Sequence, residues 1–217
     1  MGAGLAAALL AAGGPSWADR ASPWGLGTNV CAPESVGVDT SQADRDLGVG
    51  ALDGEAPGET FSANDTLIGS ISVWRPAVQA NDPDPMKLWI TEVDSTGMPL
   101  TDRVVLDGPA IQATGDGIHP TEVRYAFSPP VALPHRGEFF FAIQELCYGY
   151  FDLLSNTGDA YLGGDTWRTG RSYLSGCSLR PYPDKLSNTD LIFTIVFCST
   201  TTPVRTNSWG QLKLRYR

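Results

Sequence analysis

Three features of this sequence predict an all-β chain folded as an antiparallel β-sandwich. Apolar and polar residues alternate over many short runs, 24 Gly and 16 Pro punctuate them, and no convincing internal helix pattern interrupts the series. At 217 residues the chain lies within the range that one such domain reaches, and 42% hydrophobic residues argue against disorder. Its 24 acidic against 15 basic side chains, a formal charge of −9, oppose attraction to phosphate backbones and anionic membranes. Nucleic acid is not an expected partner.

Residues Met1 to Ala12 are Gly, Ala, Leu and Met only, and Ser16-Trp17-Ala18 presents small residues at the two positions a signal peptidase reads. Residues 1–18 are therefore expected to be a signal peptide cleaved after Ala18, which makes the product secreted. No later segment is long and apolar enough to be a transmembrane helix. Asp19 to Gly58 is rich in Gly, Ala, Pro, Ser and Asp with little periodicity, and reads as an N-terminal strap holding one strand. Thr66 to Arg75 alternates Leu67, Gly69, Ile71 and Val73 against Ile68, Ser70, Ser72 and Trp74, the pattern of a half-buried strand. The prolines of Asn81 to Pro85 require a loop. Lys87 to Val93 and Pro99 to Leu106 form a hairpin about the turn Asp94-Ser95-Thr96-Gly97.

Gly115-Asp116-Gly117 marks the next loop, and Pro129-Pro130 bends an edge strand that runs from Val123 to Leu133. The most apolar run, Phe139 to Leu146, sets Phe139, Phe141 and Ile143 on one face and Phe140 and Ala142 on the other, as a central strand would. After Phe151 to Leu154 and a loop-rich stretch, Leu191 to Cys198 closes the core, giving a sandwich domain over 59–198. Beyond a linker at 199–207, the tail 208–217 opens on a capping box, Ser208-Trp209-Gly210-Gln211, and stacks Trp209, Leu212 and Tyr216 on one stripe of a short helix. The expected class is thus a jelly-roll-like antiparallel β-sandwich with a short C-terminal tail helix.

The segment order Glu59-Thr60-Phe61, Asp65-Thr66-Leu67 leading to Ser72-Val73-Trp74, Asp94 to Gly97, and Asp190-Leu191-Ile192-Phe193 resembles jelly-roll accessory modules of secreted bacterial proteins. The resemblance spans Gly58 to Cys198 and implies a non-catalytic sandwich. Related jelly rolls include carbohydrate-binding modules with a structural calcium. The tail is similar in look to endings of secreted bacterial proteins.

Cys31, Cys147, Cys177 and Cys198 all follow the expected cleavage site, and an even number in an exported chain reads as two disulfides. Of three possible pairings, Cys147–Cys177 and Cys31–Cys198 are expected, because the first closes the loop after a central strand and the second ties the strap to the last strand. Calcium takes six to eight oxygen ligands, and Asp152, Asp165 and Asp190, with Asp159 nearby, are the loop carboxylates that could supply them. Sugar-binding modules stack pyranose rings on exposed aromatics. Trp74, which shares a face with Ser70 and Ser72, and Trp167 beside Arg168 are the candidates for that role. Filling satellite cores is the competing use of such aromatics.

Glu92 and Asp94 fall on one strand face, as a glycosidase pair would, yet Gly97 stands where a third acidic residue is expected and Asp94 serves as a turn former. Glu138 and Glu145 read as strand-end charges. His119 and His135 sit beside prolines in loops, and no Gly-x-Ser-x-Gly elbow is present. The expectation is a non-catalytic module that recognises an extracellular polysaccharide or cell-surface component. Its rivals are a structural spacer of a surface protein and a glycoside hydrolase using Glu92.

Overall fold

A computed structural model describes residues 29–31, 35–50, 55–78, 85–145, 150–169, 179, 181 and 183–200, which lie in one compact unit spanning Asn29–Thr201. The expected signal peptide, the tail helix and Cys147–Cys177 lie outside the described residues. Among the described residues no helix is long and apolar enough to cross a membrane.

The chain opens with β1 (Asn29–Val30), β2 (Ser35–Gly37), a 3-10 turn at Thr40–Gln42 and β3 (Arg45–Gly50). It continues with β4 (Pro57–Ala63), β5 (Leu67–Arg75), β6 (Pro85–Val93), β7 (Pro99–Gln112), β8 (Thr121–Ala132) and β9 (Gly137–Glu145). β10 (Tyr150–Asn156), β11 (Thr166–Arg168), β12 (Asp184–Lys185), β13 (Asp190–Leu191), β14 (Phe193–Phe197) and β15 (Ser199–Thr200) complete it. All pairings are antiparallel. A six-stranded sheet runs β12-β11-β4-β9-β6-β7, a four-stranded sheet β2-β14-β5-β8, a three-stranded sheet β13-β10-β3, and β1 pairs with β15. Ile192 joins the two smaller sheets: its amide donates to the Leu154 carbonyl at 2.9 Å and its carbonyl accepts from the Trp74 amide at 3.3 Å.

The main core draws on the six-, four- and three-stranded sheets. Phe61, Leu88, Ile90, Phe139, Phe141 and Ile143 from the six-stranded sheet pack with Ile71, Val73, Phe193 and Ile195 of the four-stranded one and with Leu47, Phe151 and Leu153 of the three-stranded one. Phe141 meets Phe193 at 5.2 Å between ring centroids, and the buried Tyr125 hydroxyl crosses the core to the Met86 carbonyl at 2.9 Å. Each fully buried phenylalanine contributes about 1.5–3 kcal/mol through the apolar surface it withdraws from water. The alternation of β9 is realised in full, because Phe140 and Ala142 face away from this core and join Trp89, Ala56 and Leu179 in a second buried cluster on the outer face of the six-stranded sheet. Gly58 makes that packing possible: a Cβ there would stand 2.6 Å from the Phe140 ring and 1.8 Å from the Phe141 carbonyl oxygen.

Two local expectations are corrected. The strap supplies three short strands rather than one, with β2 pairing with β14 and β3 with β10. On β5 the register shifts between Ile68 and Ser70, so Ile68 turns into the core and Leu67 is left half-buried. The shift centres on Gly69, against which the Cys31–Cys198 disulfide lies, a Cβ there being 2.6 Å from Cys198 Sγ and 2.9 Å from Cys31 Sγ. That disulfide is one of the two expected from the sequence, and it fastens the segment carrying β1 beside β15.

Candidate functional site

Two sheets that do not close into a barrel leave open sides, and a cleft lies on the side where β3 and β12 are the edge strands. Its volume is about 440 Å³. Arg45 and Asp46 of β3, Arg168 of β11, Lys185 of β12, and Ser187 and Thr189 of the following turn supply its polar lining. Leu47 and Leu186 add apolar surface.

The cations are held in place. Arg168 Nη1 lies 3.3 Å from the buried Glu55 carboxylate, Lys185 Nζ lies 2.6 Å from Asp165, and Arg45 Nη2 donates to the Thr189 hydroxyl at 2.5 Å. Thr189 is itself buried. Donors fixed in this way meet a ligand with less ordering cost than freely rotating side chains.

Beneath the cleft lies a fully buried carboxyl group. Glu59 of β4 places Oε2 at 2.6 Å from the Thr166 hydroxyl and 3.2 Å from the Leu191 amide nitrogen. The same hydroxyl also contacts the Thr189 carbonyl oxygen. A hydroxyl has one proton and a carbonyl can only accept, so the Thr166 proton goes to Thr189 and the proton between Thr166 and Glu59 belongs to Glu59. Glu59 is thus a neutral acid that donates to Thr166 and accepts from Leu191. Its remaining oxygen, Oε1, is buried with no hydrogen-bond partner among the described residues, a smaller loss for a neutral carbonyl than for a carboxylate. Burial drives its pKa well above the ordinary value and Asp190 and Asp165 raise it further, while the bond from the Leu191 amide pulls it down. Asp190 is also raised, first by burial, although its carboxylate accepts the Tyr161 amide at 2.8 Å.

The sequence-predicted binding residues do not come together. Alternation along β11 sends Trp167 and Arg168 to opposite faces of the six-stranded sheet. Trp167 packs into the outer cluster beside Trp89 and Phe140, whereas Arg168 lines the cleft. Trp74 stands on the other layer, paired in register with Glu122, half-buried and packed against the main core. Neither tryptophan faces the cleft lining, and filling a satellite core is the role Trp167 takes.

Of the aspartates expected to hold calcium, Asp165 and Asp159 lie near enough to Asp190 to raise its pKa, whereas Asp152 stands apart. Asp190 pairs with Asn156, four residues beyond Asp152 along β10, a distance of about 13 Å at 3.3 Å per residue. Asp165 is engaged by Lys185. Among the described residues, no three His, Cys, Asp or Glu side chains are grouped so as to hold a metal ion.

The second cleft, on the β7 and β8 side, is lined by Glu92, Arg103, Val104, Val105, Ala132 and Pro134. Glu92 lies 3.4 Å from Arg103 and 3.9 Å from His135 Nε2. Asp94 Oδ1 accepts from the Thr96 amide and hydroxyl at 2.8 and 2.6 Å and from the Met98 amide at 3.1 Å, so it is committed to the hairpin turn. His135 stacks on Phe139 at 4.9 Å, and His119 Nδ1 lies 2.6 Å from Asp116 within its loop. Glu138 and Glu145 sit at the two ends of β9 as expected, Glu138 exposed and Glu145 buried.

Sequence reasoning missed Arg45, Lys185, Thr189 and Glu59. A lone Glu in the strand Pro57–Ala63 could have signalled a buried acid, since its neighbours Phe61 and Ala63 lie on the same face. No protein-family model matches the chain, and no curated protein matches it. It is similar to a solved structure of the cysteine protease and lectin-like domains of Cwp84, a surface-layer-associated protein of Clostridium difficile, with a TM-score of 0.41 and 9% identity over 68% of this chain and 33% of that one. A likeness of this size assigns neither family nor function.

Proposed function

We propose that the chain is a secreted, non-catalytic β-sandwich module that binds an extracellular saccharide in the cleft between β3 and β12. The observation that carries this reading is the cleft's lining: anchored guanidinium and ammonium donors, the Ser187 and Thr189 hydroxyls and the Asp46 carboxylate stand beside apolar Leu47 and Leu186. Alternating donors and acceptors over a small apolar surface suit a polyhydroxylated ring. The Cys31–Cys198 disulfide fits an oxidising, extracellular setting. Asp94's commitment to its turn and the engagement of Glu92 by Arg103 and His135 support a non-catalytic role.

A glycan array probed with the purified chain tests the proposal, with Arg168→Ala as the cleft variant and Trp74→Ala as the variant of the other layer. Saccharide binding that weakens in the first and persists in the second is expected. Binding lost only in the Trp74 variant would move the site to the four-stranded sheet. Polysaccharide hydrolysis by the wild type that disappears in Glu92→Gln would overturn the non-catalytic reading.

A further inference from the structure

We infer that the saccharide taken by this cleft is acidic, and that the guanidinium of Arg45 receives its carboxylate or sulfate group. The inference rests on the saccharide reading above and narrows it. In a chain of net charge −9, the cleft gathers three cations and has Asp46 as the carboxylate in its lining. Lys185 and Arg168 already face carboxylates, Asp165 and Glu55, that orient them. Arg45 differs: its hydrogen bond goes to the neutral Thr189 hydroxyl, and although Asp44 beside it feels its charge, among the described residues no carboxylate is in direct ion-pair contact with it.

The anchoring leaves Arg45 with donors to offer. A guanidinium has five N–H groups in a planar fork that matches the oxygens of a carboxylate or sulfate. Arg45 is exposed at the edge strand, while the Thr189 that holds it is buried and fixed through its carbonyl by Thr166. A neutral sugar would leave that fork without an anionic group in direct contact. At physiological salt the Debye length is about 8 Å, so the chain's net negative charge is screened beyond the cleft while Arg45 acts in direct contact.

Calorimetric titration of the full chain with three oligosaccharides of equal length tests the inference: one bearing uronic carboxylates, one sulfated and one neutral. The expected result is that one or both acidic probes bind more tightly than the neutral one. Arg45→Ala should weaken acidic binding by about tenfold or more, and Arg45→Lys, which keeps the charge without the fork, should restore only part of it. The carboxylate and sulfate arms identify which group is recognised. Because Arg45 is exposed, circular dichroism and the unfolding midpoint should be unchanged in both variants. Undiminished acidic binding by a folded Arg45→Ala variant would overturn the inference. Preference for the neutral probe would overturn it while leaving the saccharide reading in place, and failure of all three probes together with a blank glycan array would remove both.

Discussion

Glu59→Gln distinguishes a neutral acid from a carboxylate at the base of the cleft. An amide nitrogen in the place of Oε2 can donate to Thr166 but cannot also accept from Leu191, so the substitution loses one hydrogen bond, about 1 kcal/mol. That deficit stands alone below the unfolded value of 4.5, where folded and unfolded wild type both carry the proton. Above it the unfolded chain releases the proton and the folded protein retains it. The folded state then binds more protons than the unfolded one, so the wild-type unfolding free energy falls by about 1.4 kcal/mol per pH unit until Glu59 ionises in the folded protein. Glutamine has no such slope. The two stabilities should cross about one pH unit above the unfolded value, with E59Q the more stable protein at neutral pH. Urea unfolding followed by tryptophan fluorescence from about pH 4 to about pH 8 measures this directly, because the other carboxylates are common to both proteins and cancel in the difference. Parallel curves, or a variant that falls further behind as the pH rises, would show that Glu59 is ionised when buried and that the proton count at Thr166 is wrong.

The remaining predictions concern stability. Replacing Cys31 and Cys198 by Ser opens a loop of sequence separation 167 and should lower stability by up to about 5 kcal/mol in the chain-entropy limit, read as a fall in the denaturation midpoint. Gly69→Ala should destabilise the oxidised protein by about 1–3 kcal/mol, because its Cβ would meet both sulfurs, and the effect should shrink in the double serine variant. Equal effects in the two backgrounds would show that the disulfide is not what Gly69 accommodates. Phe140→Ala should cost about 3–5 kcal/mol in chemical denaturation, since the outer cluster buries it fully. A loss below about 1 kcal/mol would mean that this face is open to water.

How far the sequence could be read follows from where the information lies. The alternation Phe139 to Ile143 is local and strong, so both faces of β9 and its central place were legible. Gly69 breaks the equally plain alternation of β5 because of a disulfide formed by residues distant in sequence, and no periodicity in Leu67–Arg75 reports that. The strap strands Ser35–Gly37 and Arg45–Gly50 are short and pair with β14 and β10, far along the chain, so their partners are invisible to local patterns. That is also why Arg45 was missed. Trp167 and Arg168 were grouped by adjacency in sequence, whereas a strand separates adjacent residues onto opposite faces. Asp165 and Asp190 read in the sequence as loop carboxylates, and nothing local to them reports that Lys185 and the Tyr161 amide engage them.

The central claim is that the ligand seats between β3 and β12. Hydrogen–deuterium exchange with and without a bound saccharide locates it most directly. The account predicts slowed exchange at Arg45 to Leu47 and at Asp184 to Thr189 on binding, with β5 unchanged around Trp74. Protection confined to the strands around Trp74, with none at Arg45 or Thr189, would contradict it.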